Sequence, residues 1–162
     1  MEPRQVREDF RVFACLVAAL KVAARADADC LEWRELAVQK YLLIALGGAL
    51  GSIARYWIGS TISGRLGARF PYGTLVVNIT ACVIIGFSLT YLGRRADLSP
   101  AWRYLIPIGF VGAYSTFSTY EWETLSTMRS GAFLLALLYV VSSLVLGLVA
   151  VWGGSLLAEA LA

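Results

Sequence analysis

The densest chemistry in the chain lies in one run, Gly109-Phe110-Val111-Gly112-Ala113-Tyr114-Ser115-Thr116-Phe117-Ser118-Thr119-Tyr120. Gly109 and Gly112 are poor helix formers, and the hydroxyls of Ser115, Thr116, Ser118 and Thr119 compete for backbone hydrogen bonds. Pro107, just upstream, removes a further backbone donor. Together they predict a break in a helix near Gly112 to Ser115. Carbonyls freed there could coordinate a cation. Beyond the break, Phe117 and Tyr120 stand at i,i+3 and share a face. Tyr139, Ser143 and Gly147 fall at i, i+4 and i+8, a stripe on one helical face with Ser142 beside it. Asn78 carries an amide that donates two hydrogen bonds. It reads either as glue between helices or as an anion ligand. Arg55 reads either as a side chain that snorkels to an interface or as one that draws an anion toward a vestibule.

Four long apolar segments must position these groups. They run from about Tyr41 to Ser63, Tyr72 to Gly93, Ala101 to Met128 and Gly131 to Leu157. Each has roughly the ~20 residues needed to cross a bilayer. In lipid only helices or closed barrels satisfy the backbone, and apolar runs of this length mean helices. The links between them are short, so the helices are antiparallel neighbours. Gly47 with Gly51, and Gly48 with Ser52, form small-xxx-small pairs that let backbones approach closely. Hydrophobic residues make up 59% of the 162, charged residues 15%, and the mean hydropathy is +0.69. A water-soluble globule of this size would lack the polar surface to cover itself. The expected fold is an all-α membrane protein of four transmembrane helices with a broken third.

Histidine is absent, which removes the commonest general base and metal ligand. Cys15, Cys30 and Cys82 form no CxxC pair, so neither a zinc site nor a disulfide framework is suggested. Without histidine, or a lysine inside any span, no Ser/His or Ser/Lys dyad can be assembled, and an enzyme is not expected. No nucleic-acid partner is expected either.

Charge divides the chain. Residues 1–40 hold seven basic and seven acidic groups. Residues 41–162 hold seven arginines, no lysine and four acids, which accounts for the net charge of +3. We therefore divide the chain into a charge-rich extension, 1–38, and a four-helix body, 39–162. The extension contains an apolar stretch, Val12 to Leu20, too short to span a bilayer. It reads as a signal-peptide core, as an amphipathic surface helix, or as a non-native leader. On the last reading Val38-Gln39-Lys40-Tyr41-Leu42 resembles a natural start. Four spans put both ends of the body on one side, with Lys40, Arg94, Arg95 and Arg103. The opposite side has Arg65, Arg69 and Arg129. This near-balance reads either as a weak orientation signal in a small protein or as dual topology, with copies inserting both ways and pairing as an antiparallel homodimer.

The body resembles the Fluc (CrcB) fluoride channel family. The runs that carry the resemblance are Gly47 to Tyr56, Gly73-Thr74-Leu75-Val76-Val77-Asn78, and the Gly109 to Tyr120 block, with the Tyr139/Ser143 stripe at the family's spacing. The resemblance covers about residues 39 to 157. It implies an antiparallel homodimer in the bacterial inner membrane, exporting fluoride by passive flow through two pores that both subunits build. It implies a structural sodium ion at the dimer centre, held by the backbone carbonyls of Gly112 and Ser115. It implies pore roles for Asn78, Phe117, Tyr120, Tyr139 and Ser143, with Ser118 and Thr119 beside them and Arg55 in the vestibule. Two positions depart from the family pattern. Tyr120 stands where a second phenylalanine is usual, and Gly147 where a serine often extends the polar track.

The chemistry of the residues agrees. Fluoride is strongly hydrated, so a dehydrating pore must offer replacement donors. Asn78, Thr119, Tyr139 and Ser143 offer them. Aromatic ring edges are electropositive and meet an anion without a fixed charge that would trap it. The alternative is a small dual-topology, proton-coupled exporter of cations or drugs. It would need a buried carboxylate, and Glu121 and Glu123 are the candidates.

Overall fold

Each apolar run of the body folds as a helix, because nothing else satisfies a backbone surrounded by apolar side chains. The computed structural model describes residues 38–67 and 69–162. The readings made on Val12–Leu20 and its charged flanks fall outside the described residues. Helix α1 spans Val38–Leu66. Helix α2 spans Tyr72–Arg94. The third apolar segment is discontinuous: α3 (Ala101–Arg103), a π-helical stretch (Tyr104–Val111), α4 (Gly112–Tyr114) and α5 (Phe117–Arg129). Helix α6 spans Phe133–Leu161. Among the described residues there is no strand. Helices α1, α2 and α6 are each long and apolar enough to cross a membrane. Helix α1 overruns its expected limits by three residues at each end, α2 ends one residue later than expected, and α6 starts two residues later and ends four residues later.

Glycine ends two of the helices. Gly67 and Gly131 both have φ of 83°, a left-handed conformation that costs other residues strain. At the end of α5 the amides of Gly131 and Ala132 turn back to Met128 O and Thr127 O, at 3.0 and 3.2 Å. This satisfies carbonyls that the helix leaves open and starts the return into α6.

Glycine also sets the packing distances. Helices α2 and α6 pack extensively against each other. A methyl on Gly86 would overlap the Val151 backbone, and one on Gly154 would overlap the Val83 backbone. The two helices therefore cross with each glycine against the other's main chain. Gly47 and Gly51 do the same for α1, lying against the backbones of Leu105 and Phe110 in the π-helical stretch. The Gly47/Gly51 pair is thus a packing device, as read from its spacing. A methyl on Gly48 would make only an ordinary 3.9 Å contact with Ala113 Cβ. A small core of Val77, Ala81, Val111 and Tyr114 fills the space between α2 and the broken segment. Large apolar side chains elsewhere, among them Trp57, Leu134, Leu148 and Trp152, face outward, as on a lipid-facing surface.

The broken segment differs from its expectation in two ways. Pro107 lies within the π-helical stretch. Its missing N–H leaves a gap in the i→i−4 ladder, and the wider turn absorbs it without ending the helix. The break itself falls at Ser115 and Thr116, at the downstream end of the expected range and one residue beyond it, and not at Gly112. Ser115 has φ −72° and ψ 155°, and Thr116 has φ −147° and ψ 109°, both extended. Gly112 keeps helical angles of −58° and −34°. Glycine's freedom is not what stops the helix. A side chain from α2 stops it.

Candidate functional site

That side chain is Asn78. Its Oδ1 accepts a hydrogen bond from Thr116 N at 2.9 Å, and its Nδ2 donates to Thr116 O at 3.2 Å. The carboxamide thus pairs with both main-chain groups of one extended residue, as a neighbouring strand would. In an unbroken helix the Thr116 N–H would have reached Gly112 O. With that donor taken by Asn78, the Gly112 carbonyl is released from the ladder.

Further contacts hold the break. Upstream, Tyr114 is buried, and its hydroxyl lies 2.7 Å from Thr80 Oγ1 on α2. Ser115 Oγ donates back to Val111 O at 3.0 Å. Downstream, Thr116 Oγ1 caps α5 by accepting from Thr119 N at 3.3 Å. Helix α2 therefore grips the broken segment on both sides, through Thr80 and Asn78.

Beside the break lies a groove of about 560 Å³. It gathers Asn78, Gly112, Ser115, Phe117, Tyr120 and Ser143 from three stretches of the chain, with Cys82 and Pro107 on its walls. Ser143 Oγ is buried and has no hydrogen-bond partner among the described residues. Phe117 is 74% exposed on the open side. Its ring lies 5.8 Å from that of Tyr120, which lies 5.0 Å from Tyr139. Tyr139 meets Phe70 edge-on at 5.4 Å. Aromatic rings thus run from the groove toward the α1–α2 link.

Tyr139 is itself fully buried and does not line the groove. Its hydroxyl donates to Glu123 Oε2 at 2.9 Å, and Thr74 Oγ1 donates to Glu123 Oε1 at 2.8 Å. Thr74 and Thr119 line a second hollow, of about 280 Å³, together with Arg55, Ser52 and Tyr56. Thr116 borders both hollows. Arg55 forms no salt bridge among the described residues, so its charge is available to that hollow. Ser118 is exposed and lines neither hollow.

The bracketing of Glu123 by Thr74 and Tyr139 was not read from the sequence. Glu123 was weighed there only as a proton carrier. Its spacing of i+3 from Tyr120 was the signal that it faces the aromatic row.

Comparison with known proteins places this arrangement. The model of the CrcB-like protein family, described as camphor resistance (CrcB), matches residues 42–155. The chain belongs to the CrcB-like family. A relative from Acidobacterium capsulatum, named fluoride-specific ion channel FluC, is 58% identical over 115 residues, covering 71% of this chain and 92% of that protein. One of the same name from Solibacter usitatus is 52% identical over 120 residues, covering 74% and 98%. A third, from Thermus thermophilus, is 43% identical over 126 residues, covering 78% and 98%. This CrcB-like family is one of ion channels and not of enzymes, and this member is an integral membrane protein. The matched residues include α1 from residue 42 onward, α2 and the whole broken segment.

Proposed function

We propose that the chain is a fluoride-selective channel that lets fluoride leave the cytoplasm passively through the bacterial inner membrane. The observation that carries this reading is the groove beside the break. There the Asn78 amide, the Phe117 and Tyr120 rings and the buried, unpartnered Ser143 hydroxyl lie together, in a chain whose relatives are named fluoride-specific ion channels. A dehydrated anion needs donors in place of water, and these groups are donors or ring edges. None carries a full positive charge that would hold the ion too tightly to leave. Arg55 raises the local anion concentration at the second hollow, next to Thr74 and Thr119.

A single four-helix chain leaves the groove open and Phe117 exposed. A second copy, inserted in the opposite orientation, would cover that side and give two equivalent paths. The near-balance of Lys40, Arg94, Arg95 and Arg103 against Arg65, Arg69 and Arg129 supports dual insertion. Gly112 O, released by the Asn78 contact, and Ser115 O, in extended backbone, fit a hard cation, as carbonyl oxygens do. They would hold the structural sodium ion, which would supply positive charge between two such breaks. Two carbonyls are too few to surround a cation, and the second copy would bring its own.

The test is efflux of fluoride from liposomes containing the purified protein, read with a fluoride electrode. Fast efflux that chloride cannot replace is expected. Efflux no faster than from protein-free liposomes overturns the reading.

A further inference from the structure

We propose that Asn78 couples the cation site at the break to the anion path, because one carboxamide both fixes the Thr116 backbone and lines the groove. This rests on the channel reading above.

The carboxamide has a limited set of bonds. Oδ1 accepts from Thr116 N, and one Nδ2 hydrogen goes to Thr116 O. The second Nδ2 hydrogen remains, on a side chain that borders the groove with Phe117 and Ser143. The bond to Thr116 N is also what withholds that donor from Gly112 O. If Asn78 lets go, the Thr116 amide is free to close the helical turn onto Gly112 O, and that carbonyl turns from a cation toward its own helix. Conversely, a cation on Gly112 O favours the state in which Thr116 stays with Asn78. The carboxamide is then held with its remaining hydrogen toward the groove. Asn78 is in this sense a positioning residue as well as a donor. By linkage, any effect of the cation on anion affinity is matched by an equal effect of the anion on cation affinity.

Thr80 supplies an internal comparison. Its contact with the Tyr114 hydroxyl also ties α2 to the broken segment, two residues along each from the Asn78–Thr116 pair, and is a hydrogen bond to neither Thr116 nor Gly112. General loosening of the break should follow loss of either contact. The coupling should follow loss of Asn78 alone.

The experiment titrates sodium chloride, at ionic strength held constant with N-methylglucamine chloride, into purified protein in detergent. The readouts are the thermal unfolding midpoint and tryptophan fluorescence. Asn78→Ala should raise the half-saturating sodium concentration about tenfold, as expected for losing a hydrogen-bonded pair, whereas Thr80→Val should shift it less than about threefold. Equal half-saturation in Asn78→Ala and wild type overturns the proposal, as do equal shifts in both variants or a wild type indifferent to sodium. A wild-type measurement decides the matter if Asn78→Ala does not fold. Sodium should slow hydrogen exchange at the Thr116 amide, and unchanged exchange there overturns the proposal. Absence of fluoride efflux from wild-type liposomes would sink the channel reading while leaving these sodium readouts intact.

Discussion

Tyr139 on α6 and Glu123 on α5 are joined by a hydrogen bond of 2.9 Å from the phenol to the carboxylate, with Thr74 on α2 holding the carboxylate's other oxygen. Three helices therefore meet at one acid. Removing the hydroxyl leaves a partly buried oxygen without its donor. Tyr139→Phe should cost about 1–3 kcal/mol of stability and slow fluoride flux about tenfold, while keeping the ring that meets Tyr120 and Phe70. Thermal unfolding and liposome efflux check the two parts. Wild-type flux in the variant would remove the hydroxyl from the path.

Asn78→Asp changes one atom. Aspartate still accepts from Thr116 N, but it cannot donate to Thr116 O and instead faces that carbonyl with negative charge. It also puts an anion where another anion must pass, in low dielectric. Fluoride efflux should fall to the level of protein-free liposomes. Efflux near the wild-type rate would exclude Asn78 from the pore.

Gly153 and Gly154 are adjacent on α6 and should respond differently to the same methyl group. At Gly154 the methyl would overlap the Val83 backbone, whereas at Gly153 nothing lies within 4 Å. Gly154→Ala should therefore destabilise the α2–α6 pair by about 1–3 kcal/mol, the usual cost of overpacking, with Gly153→Ala close to neutral. Melting of the purified protein in detergent measures both. Equal midpoints for the two variants would mean the α2–α6 crossing is looser than the geometry indicates.

Dual insertion makes a prediction about charge. A reporter on the C-terminus should be found on both sides of one membrane. Replacing Arg94 and Arg95 by glutamine lowers the terminus-side count and should skew the ratio. Detection on a single side for the wild-type chain would refute dual topology.

The linear pattern determined the class of molecule and its four helical segments. The apolar runs at Tyr41, Tyr72, Ala101 and Gly131 are long enough that only helices answer them, and helix length in a membrane is a local property. The weakness of the third segment was also legible, because glycine, serine, threonine and proline act on their own backbone. Its exact form was not. The break expected near Gly112 to Ser115 lies at the end of that range, at Ser115 and Thr116, since the backbone group that defines it is captured by Asn78, 38 residues earlier in the chain. The π-helical turns around Pro107 likewise answer to α1, whose Gly47 and Gly51 admit the main chain there. The grouping of Asn78, Phe117, Tyr120 and Ser143 on one groove, and the three-helix bracket of Glu123, depend on which helix faces are turned toward one another. Periodicity says which residues share a face of one helix. Only the packing of α2, α5 and α6 decides which faces meet, with Gly86 and Gly154 setting the approach of α2 to α6.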